Sequence, residues 1–319
     1  MIWPPGGCCK EAGRAYNQRM SMRLSAIHFL VTYRCTYECD HCFVWGGPQQ
    51  EATMTLAQLQ EVIDQAAACG LETVYFEGGE PMLAYPVVLA AARHARARGL
   101  DWGLVTNCFW ATSVEDAQLW LAPFVELEIA DLSVSSYPCS TEEIGEQEQL
   151  RDAALAAREL GLPLSLLEVG AAACLPGLEA LCGEPGSIMY RGRAAVELAP
   201  EAATRPPHAL TSCPYEDLEH PERAHLGADG ELQVCQGISA GNVFTRGLAA
   251  VMAGYEPQRT PVVRELLHGG PWELARACGV EPALAAYADE CHLCYEVRTA
   301  LRSRYPEVLA PDAVYGVTG

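Results

Sequence analysis

Basic residues are scarce in this sequence of 319 residues. Lys and Arg together number 21 against 41 Asp and Glu, which gives a formal charge of −20 at pH 7. Because Lys and Arg supply most of the affinity for nucleic-acid phosphates, we expect no nucleic-acid partner. Charged residues make up 19% and apolar residues 50% of the chain, a balance that excludes disordered and coiled-coil proteins. The length predicts about two domains, or one large α/β barrel with an appendage.

Targeting and membrane signals are also missing from the sequence. The first twenty or so residues contain no apolar run of about seven, which a signal peptide needs. No stretch approaches the roughly 18 uncharged apolar residues of a membrane helix. Internal repeats and low-complexity tracts are absent as well. We therefore expect a cytoplasmic protein that has no membrane partner.

Cysteine, in contrast, is abundant: the chain has 15. A chain of this length can bury a full core without disulfides, and a reducing compartment does not favour them. The cysteines therefore indicate metal binding.

Short apolar runs alternate with amphipathic stretches from residue 26 to about residue 169, a pattern typical of βα units around a parallel sheet. Strands are predicted at 26–33, 73–77, 102–107, 129–135, 162–168 and 187–190, and helices at 55–69, 86–98, 115–121 and 148–160. In such sheets the functional groups lie at the carboxyl ends of the strands. The sequence therefore predicts the α/β fold class, as an incomplete barrel of six units.

The composition changes after Arg193, where five prolines within about twenty residues indicate a linker. Beyond it, Asp229 and Gly230 predict a tight turn between two short strands, and residues 258–289 are predicted to be mostly helical. The expected units are a poorly structured extension at 1–22, the barrel at 23–200, a small α+β module at 205–300 and a tail at 301–319.

Two motifs follow the first two predicted strands. Cys35, Cys39 and Cys42 lie on one loop, and three thiolates can hold three irons of a cubane while the fourth iron has no protein ligand. A zinc loop is the alternative, although zinc cysteines usually come as two pairs. Gly78 and Gly79 follow the second strand, and adjacent glycines let the backbone approach a ligand closely. An ordinary turn is the alternative for this second motif.

Together the two motifs resemble those of the radical SAM superfamily. The resemblance implies a partial (β/α)6 barrel, a 4Fe-4S cluster and S-adenosylmethionine (SAM), which is cleaved to a 5′-deoxyadenosyl radical. The implied cluster ligands are Cys35, Cys39 and Cys42, and the residues implied at the methionine end of SAM are Gly78, Gly79, Glu80 and Pro81. His41 stands next to the last cysteine, where the family often has an aromatic residue, and is expected to stack on adenine. Asn107 corresponds to the family's TNG motif, with Cys108 in place of the glycine.

Further SAM contacts are expected at later strand ends. Asp131, Ser133 and Ser135 share one face of the fourth predicted strand, which requires a polar lumen. The resemblance implies that Ser135, with Ser133 beside it, binds the ribose; a polar cap on the strand end is the alternative. Arg191 and Arg193 are candidates for the methionine carboxylate, because a guanidinium group matches a carboxylate in shape. A surface ion pair is the alternative for both arginines.

A second cysteine set lies in the C-terminal region at Cys213, Cys235, Cys291 and Cys294. Its flanking residues resemble the Twitch module, a shortened SPASM domain, over about residues 205–300. Four thiolates can saturate an auxiliary 4Fe-4S cluster, which then suits electron transfer. Structural zinc is the alternative. Only Cys278 is left over in this region, too few thiols for a second auxiliary cluster.

The resemblance implies an enzyme that oxidises or cross-links its substrate and takes electrons from an external reductant of the flavodoxin or ferredoxin type. A peptide is the leading substrate class, recognised with a separate protein because few residues precede the first strand. A small metabolite such as an amino-sugar or cyclitol alcohol is one alternative, and a non-catalytic iron-sulfur or zinc protein is another. Tyr137 and Glu168 are candidate bases, and Cys139 is a candidate hydrogen or proton donor.

Overall fold

The computed structural model describes residues 22–136, 144–168 and 187–317. The strands in this part of the chain are β1 (Ala26–Thr32), β2 (Thr73–Gly78), β3 (Asp101–Thr106), β4 (Asp131–Ser136), β5 (Leu164–Glu168), β6 (Arg223–Leu226), β7 (Glu231–Cys235) and β8 (Ile238–Asn242). The α-helices are α1 (Leu56–Cys69), α2 (Tyr85–Ala97), α3 (Val114–Glu126), α4 (Ile144–Glu159), α5 (Ala194–Glu197), α6 (Val243–Arg246), α7 (Leu248–Gly254), α8 (Val263–Cys278) and α9 (Glu290–Leu301).

All eight strands form one sheet in the order β5-β4-β3-β2-β1-β6-β7-β8. Neighbouring strands from β5 to β6 are parallel, and β7 and β8 are antiparallel additions. The sheet does not close on itself. The predicted α/β fold class with an incomplete barrel is therefore confirmed. Because parallel strands end at the same edge, the loops after β1, β2 and β3 meet there.

The sixth predicted strand was wrong. Residues 187–190 form no strand, and the sixth parallel strand is β6, which pairs with β1 on its other side. The physical reason is that the backbone near residue 190 bonds elsewhere: Tyr190 N donates to the Asp289 carboxylate and Arg191 N donates to Met189 O. The sheet consequently runs across the boundary predicted near residue 200. Residues 1–21, which make up nearly all of the predicted N-terminal extension, lie outside the described part of the chain.

Local sequence signals account for several element ends. Thr55 caps α1 in a capping box with Gln58, and Gly70 ends that helix with φ 80°. Gly230 makes the predicted turn between β6 and β7 with φ 92°. The helix predicted over 258–289 is shorter, because α8 kinks at Gly269–Gly270 and ends at Cys278.

The two faces of the sheet differ in chemistry. On the outer face, a row of stacked and tilted rings from Phe29, Phe76 and Trp102 packs on Phe124 of α3. On the opposite face, which we call the inner face, side chains are polar: Ser133 Oγ and Ser165 Oγ each donate to the Asp131 carboxylate, at 2.7 and 2.8 Å. This arrangement matches the polar lumen expected from the fourth strand.

Within the described residues, no helix is both long enough and apolar enough to cross a membrane.

Candidate functional site

The first thiol site is the loop after β1 that carries Cys35, Cys39 and Cys42. All three side chains are half-buried and free of disulfides. The loop is folded by its own backbone, since Cys42 N donates to Cys39 O at 3.0 Å and Gly46 N donates to Cys42 Sγ at 3.2 Å. Burial raises the pKa of the Cys35 thiol to about 12 and also raises that of Cys42. A cationic partner would therefore favour the thiolate forms of Cys35 and Cys42.

Arg193 holds this loop from outside. Its guanidinium donates to Cys39 O at 2.7 Å and to Gly46 O at 2.8 Å, and its backbone N donates to Cys42 O at 2.9 Å. The guanidinium also lies over the Trp45 ring, 5.3 Å from its centroid. Arg193 was predicted as a partner for the methionine carboxylate or for a surface ion pair. Its side chain is buried, so the surface ion pair is wrong, and its contacts with the loop carbonyls position the loop. Contact of Arg193 with the methionine carboxylate stays a prediction.

The glycine pair packs on the same loop. Gly78 has φ 139°, and Gly79 N donates to Thr32 O at 2.6 Å. A Cβ added to Gly79 would lie 2.1 Å from Arg34 O, next to Cys35. The close approach expected at this glycine therefore occurs between two backbone segments of the protein itself. Contact of Gly78 and Gly79 with SAM stays a prediction.

Glu80 lies fully buried beneath the two loops. Its carboxylate accepts hydrogen bonds from Met82 N, Thr106 Oγ1 and Asn107 N, at 2.8 to 2.9 Å. Burial raises the pKa of Glu80 to about 7, and these three donors oppose the rise. Pro81 is buried as well. The side chains of both residues are thus enclosed by protein, and Glu80 ties the end of β2 to the end of β3.

Asn107 is part of the first thiol site. Its Nδ2 donates to Thr36 Oγ1 at 3.1 Å and lies 3.5 Å from Cys35 Sγ. Cys108, which follows it, has φ 64°, in the left-handed region that favours glycine. This positive φ explains why the family that the motifs resemble often has glycine at that position.

The remaining predicted SAM contacts in the described residues are His41, Ser133 and Ser135. Burial and the charge of Arg193 lower the pKa of His41 to about 4, so the ring is neutral. Ser135 is half-buried near the end of β4, two residues after Ser133 and on the same face of the strand. Their roles at adenine and ribose stay predictions. Tyr137 and Cys139 lie outside the described residues, as does the side chain of Glu168 at the end of β5.

The second thiol site gathers cysteines from three parts of the fold. One pocket is lined by Cys213 in a loop, Cys235 at the end of β7, and Cys291 and Cys294 in the first turns of α9. Burial raises the pKa of Cys213 to about 12 and that of the two α9 thiols as well. The kink in α8 admits the Cys213 loop, because a Cβ on Gly270 would lie 2.3 Å from Ser212 N.

Two buried arginines flank these four thiols. Arg191 Nη1 lies 3.7 Å from Cys235 Sγ and 3.2 Å from Glu216 Oε1. Arg298 donates to Gln236 O at 2.7 Å and to Cys294 O at 3.3 Å. Arg191 was predicted at the methionine carboxylate or in a surface ion pair; it is buried beside the second thiol site, so the surface alternative is wrong, and the carboxylate contact stays a prediction. Arg298 was missed, although its spacing of four residues from Cys294 puts both on one face of α9.

A short segment connects the two thiol sites. Arg191 and Arg193 point to different sites, and Gly192 between them packs on the first loop, where a Cβ would lie 2.5 Å from Cys42 O. Trp45 Nε1 also donates to Tyr295 Oη of α9 at 2.9 Å. The two sites are therefore parts of one packed assembly.

Comparisons with known proteins bear on the barrel. Residues 29–170 match the model of the radical SAM superfamily. The PqqA peptide cyclase of Xanthomonas oryzae pv. oryzae (strain MAFF 311018) is 32% identical over 166 residues, 48% of this chain and 43% of the relative. The GTP 3′,8-cyclase of Synechococcus elongatus is 28% identical over 103 residues, 31% of this chain and 32% of the relative. The chain thus aligns with less than half of the length of these curated relatives.

Among solved structures, BtrN in complex with AdoMet and 2-DOIA matches with a TM-score of 0.47 and 16% identity. The match covers 77% of this chain and 88% of that chain.

Proposed function

Because residues 29–170 match the model of the radical SAM superfamily, we propose that this chain is an enzyme that cleaves SAM reductively and removes a hydrogen atom from a substrate. The observation that carries this proposal is the first thiol site. Three thiols lie on one loop at the carboxyl edge of a parallel sheet, and the glycine pair of β2 packs directly on that loop. Three cysteine ligands would leave one iron of a 4Fe-4S cluster open for SAM.

The number and placement of the thiols support clusters at both sites. Three thiols share one loop at the first site, and four thiols line one pocket at the second. Structural zinc is usually held by four protein ligands, so three thiols on one loop suit an iron-sulfur cluster with one open iron.

We assign a fully ligated auxiliary 4Fe-4S cluster to Cys213, Cys235, Cys291 and Cys294. A cluster with four thiolates is an anion, and the buried guanidinium groups of Arg191 and Arg298 would balance its charge. When bound, the first cluster supplies the electron that cleaves SAM to a 5′-deoxyadenosyl radical, and the second accepts an electron from the substrate radical.

The protein's own residues hold and shield these groups. Arg193 and Asn107 fix the first loop, and Gly46 N–H points at Cys42 Sγ. The polar inner face around Asp131 and Ser133 offers hydrogen-bonding groups where SAM and substrate would lie. Hydrogen bonds from Thr106 and Asn107 to the buried Glu80 carboxylate hold the ends of β2 and β3 together beneath these groups.

A peptide is the substrate class that we favour, because a relative is named for its peptide substrate, PqqA. The proposed reaction removes hydrogen from the peptide and leaves it oxidised or cross-linked. It needs an external one-electron reductant and, in our proposal, a separate protein that presents the peptide.

The test is an anaerobic assay of the reconstituted full chain with dithionite, SAM and short peptides encoded by neighbouring genes. We expect 5′-deoxyadenosine from the wild type and none when Cys35, Cys39 and Cys42 are all replaced by Ala. Cys291→Ala with Cys294→Ala should still form 5′-deoxyadenosine but leave the peptide unoxidised. Cys278→Ala, outside both thiol sites, is the matched control.

Circular dichroism and iron counting must accompany this assay, because loss of a metal site can unfold the module around it. SAM cleavage by the triple variant would contradict the first assignment. Normal product from a folded double variant, or zinc in the anaerobic wild type, would contradict the second. Oxidation of a small metabolite in place of every peptide would overturn the substrate class alone.

A further inference from the structure

A third group of metal-binding side chains lies on the inner face of the sheet, apart from both thiol sites. His28 belongs to β1, Glu77 to β2 and His225 to β6, which are neighbouring parallel strands. His28 pairs in register with His225 on one side and with Tyr75 on the other, and Glu77 follows Tyr75 by two residues. Period-two alternation therefore points all three side chains to the same face.

The three side chains converge on one point. Glu77 Oε1 lies 3.0 Å from His225 Nε2 and 3.3 Å from His28 Nδ1, and the three atoms all lie within 4.8 Å of one another. Ligands bound to one ion at about 2.1 Å lie roughly 3.0 to 3.4 Å apart in octahedral or tetrahedral geometry. The observed separations to Glu77 fall in this range.

Two of these atoms have no hydrogen bond within the described part of the chain. His28 Nδ1 and Glu77 Oε1 are both buried, and their short ion-pair contacts lack hydrogen-bond geometry. Unsatisfied buried polar atoms are costly and rare in folded proteins. The three side chains retain 14%, 12% and 11% exposure, which leaves a narrow opening to the inner face. A cation bound between them would satisfy both atoms.

Neighbouring groups hold the two imidazoles in place. The His28 ring is stacked on Tyr75 at 4.6 Å, and the Phe43 ring meets the His225 ring edge-on at 5.9 Å. Gln236 Nε2 lies 3.3 Å from His225 Nδ1, while Gln236 Oε1 is buried and has no hydrogen-bond partner among the described residues. A half-turn of this amide would let Oε1 accept a hydrogen bond from Nδ1–H, which leaves His225 Nε2 unprotonated for an ion.

We propose that His28, Glu77 and His225 bind one divalent transition-metal ion, separate from both thiol sites. Two imidazoles and a carboxylate suit zinc, iron, cobalt or manganese rather than an iron-sulfur cluster. Three protein ligands leave coordination positions open for water or for a substrate oxygen on the inner face. The site adds a Lewis acid to the barrel and does not depend on SAM cleavage.

The test is a Mn²⁺ titration of the fully reconstituted chain, followed by the electron paramagnetic resonance signal of free Mn²⁺. We expect one bound Mn²⁺ per chain, displaced by an equal amount of Zn²⁺, which binds such ligands more tightly. Glu77→Gln and His225→Ala should each weaken binding at least tenfold. His208→Ala, an exposed histidine outside this group, should bind as the wild type does.

A second measurement, made on the wild type alone, tests the proposal even if the variants fail to fold. Pulsed paramagnetic resonance of Mn²⁺ bound to the wild type should show coupling to imidazole nitrogen. Absence of that coupling, unchanged binding in both folded variants, or no Mn²⁺ or Zn²⁺ retained by the wild type would each overturn the proposal. None of these readouts involves SAM, so failure here leaves the proposed SAM chemistry untouched.

Discussion

The two thiol sites are built in opposite ways. The first takes three cysteines from one loop of eight residues, and its supports are backbone contacts: Gly79 against Arg34 O, and Arg193 on loop carbonyls. The second takes four cysteines from a loop, a strand end and a helix, and buried guanidinium groups lie beside the sulfurs. The first site therefore depends on the exact path of one loop, and the second on tertiary assembly and charge balance.

The largest effect is expected from crowding the first loop. In Gly79→Val the new Cβ would lie 2.1 Å from Arg34 O, a backbone atom, so the clash can be relieved only if the chain itself moves. We expect the loop to move, with the loss of about four irons per chain and of all 5′-deoxyadenosine formation, while the second site keeps its cluster. Iron analysis and the SAM cleavage assay measure this outcome.

Gly254→Ala is the matched control, because its Cβ would meet only the flexible end of Arg246. If Gly79→Val kept its iron and lost only SAM affinity, the glycine would serve the ligand, as the sequence alone suggested. Full retention of both would remove any special role for this position.

The first site, which lies on one loop, could be predicted from the sequence more fully than the features that depend on tertiary assembly. The first five strands and the cysteine loop were predicted because period-two patterns, glycine stops and cysteine spacing are local signals. The hairpin strand β6 was predicted, but its parallel pairing with β1 was missed, because four residues do not indicate which distant strand they pair with. Arg191 and Arg193 are two residues apart yet contact different thiol sites. Their spacing in the sequence does not show that this segment runs between the two thiol sites.

A smaller, site-selective effect is expected from those two arginines. Arg193→Ala leaves the buried carbonyl of Gly46 without its donor, at about 1 to 3 kcal/mol, and removes one of the two donors to Cys39 O. We expect roughly tenfold slower SAM cleavage and faster iron release to a chelator from the first site. Arg191→Ala should spare SAM cleavage and speed iron release from the second site. Equal losses at both sites in either variant would show that the two supports are not separate.

The last expected effect concerns pH, because a buried carboxyl group, Glu80, lies beneath the first site, whereas the arginines at both sites stay charged. Burial raises the pKa of Glu80 from 4.5 to about 7 in the folded protein. Between these values the folded state keeps a proton that the unfolded state has lost, so the free energy of unfolding must fall as pH rises. At 1.36 kcal/mol per pH unit, the full change is on the order of 3 kcal/mol.

Glu80→Gln should abolish this slope, whatever its effect on overall stability, because the amide does not titrate. Anaerobic urea unfolding of the full chain between pH 4.5 and 7 measures the difference between the two curves, and Glu201→Gln, an exposed glutamate, controls for a lost surface charge. Parallel curves for wild type and Glu80→Gln would mean that Glu80 titrates normally. The three donors from Met82, Thr106 and Asn107 would then outweigh the cost of burying its charge.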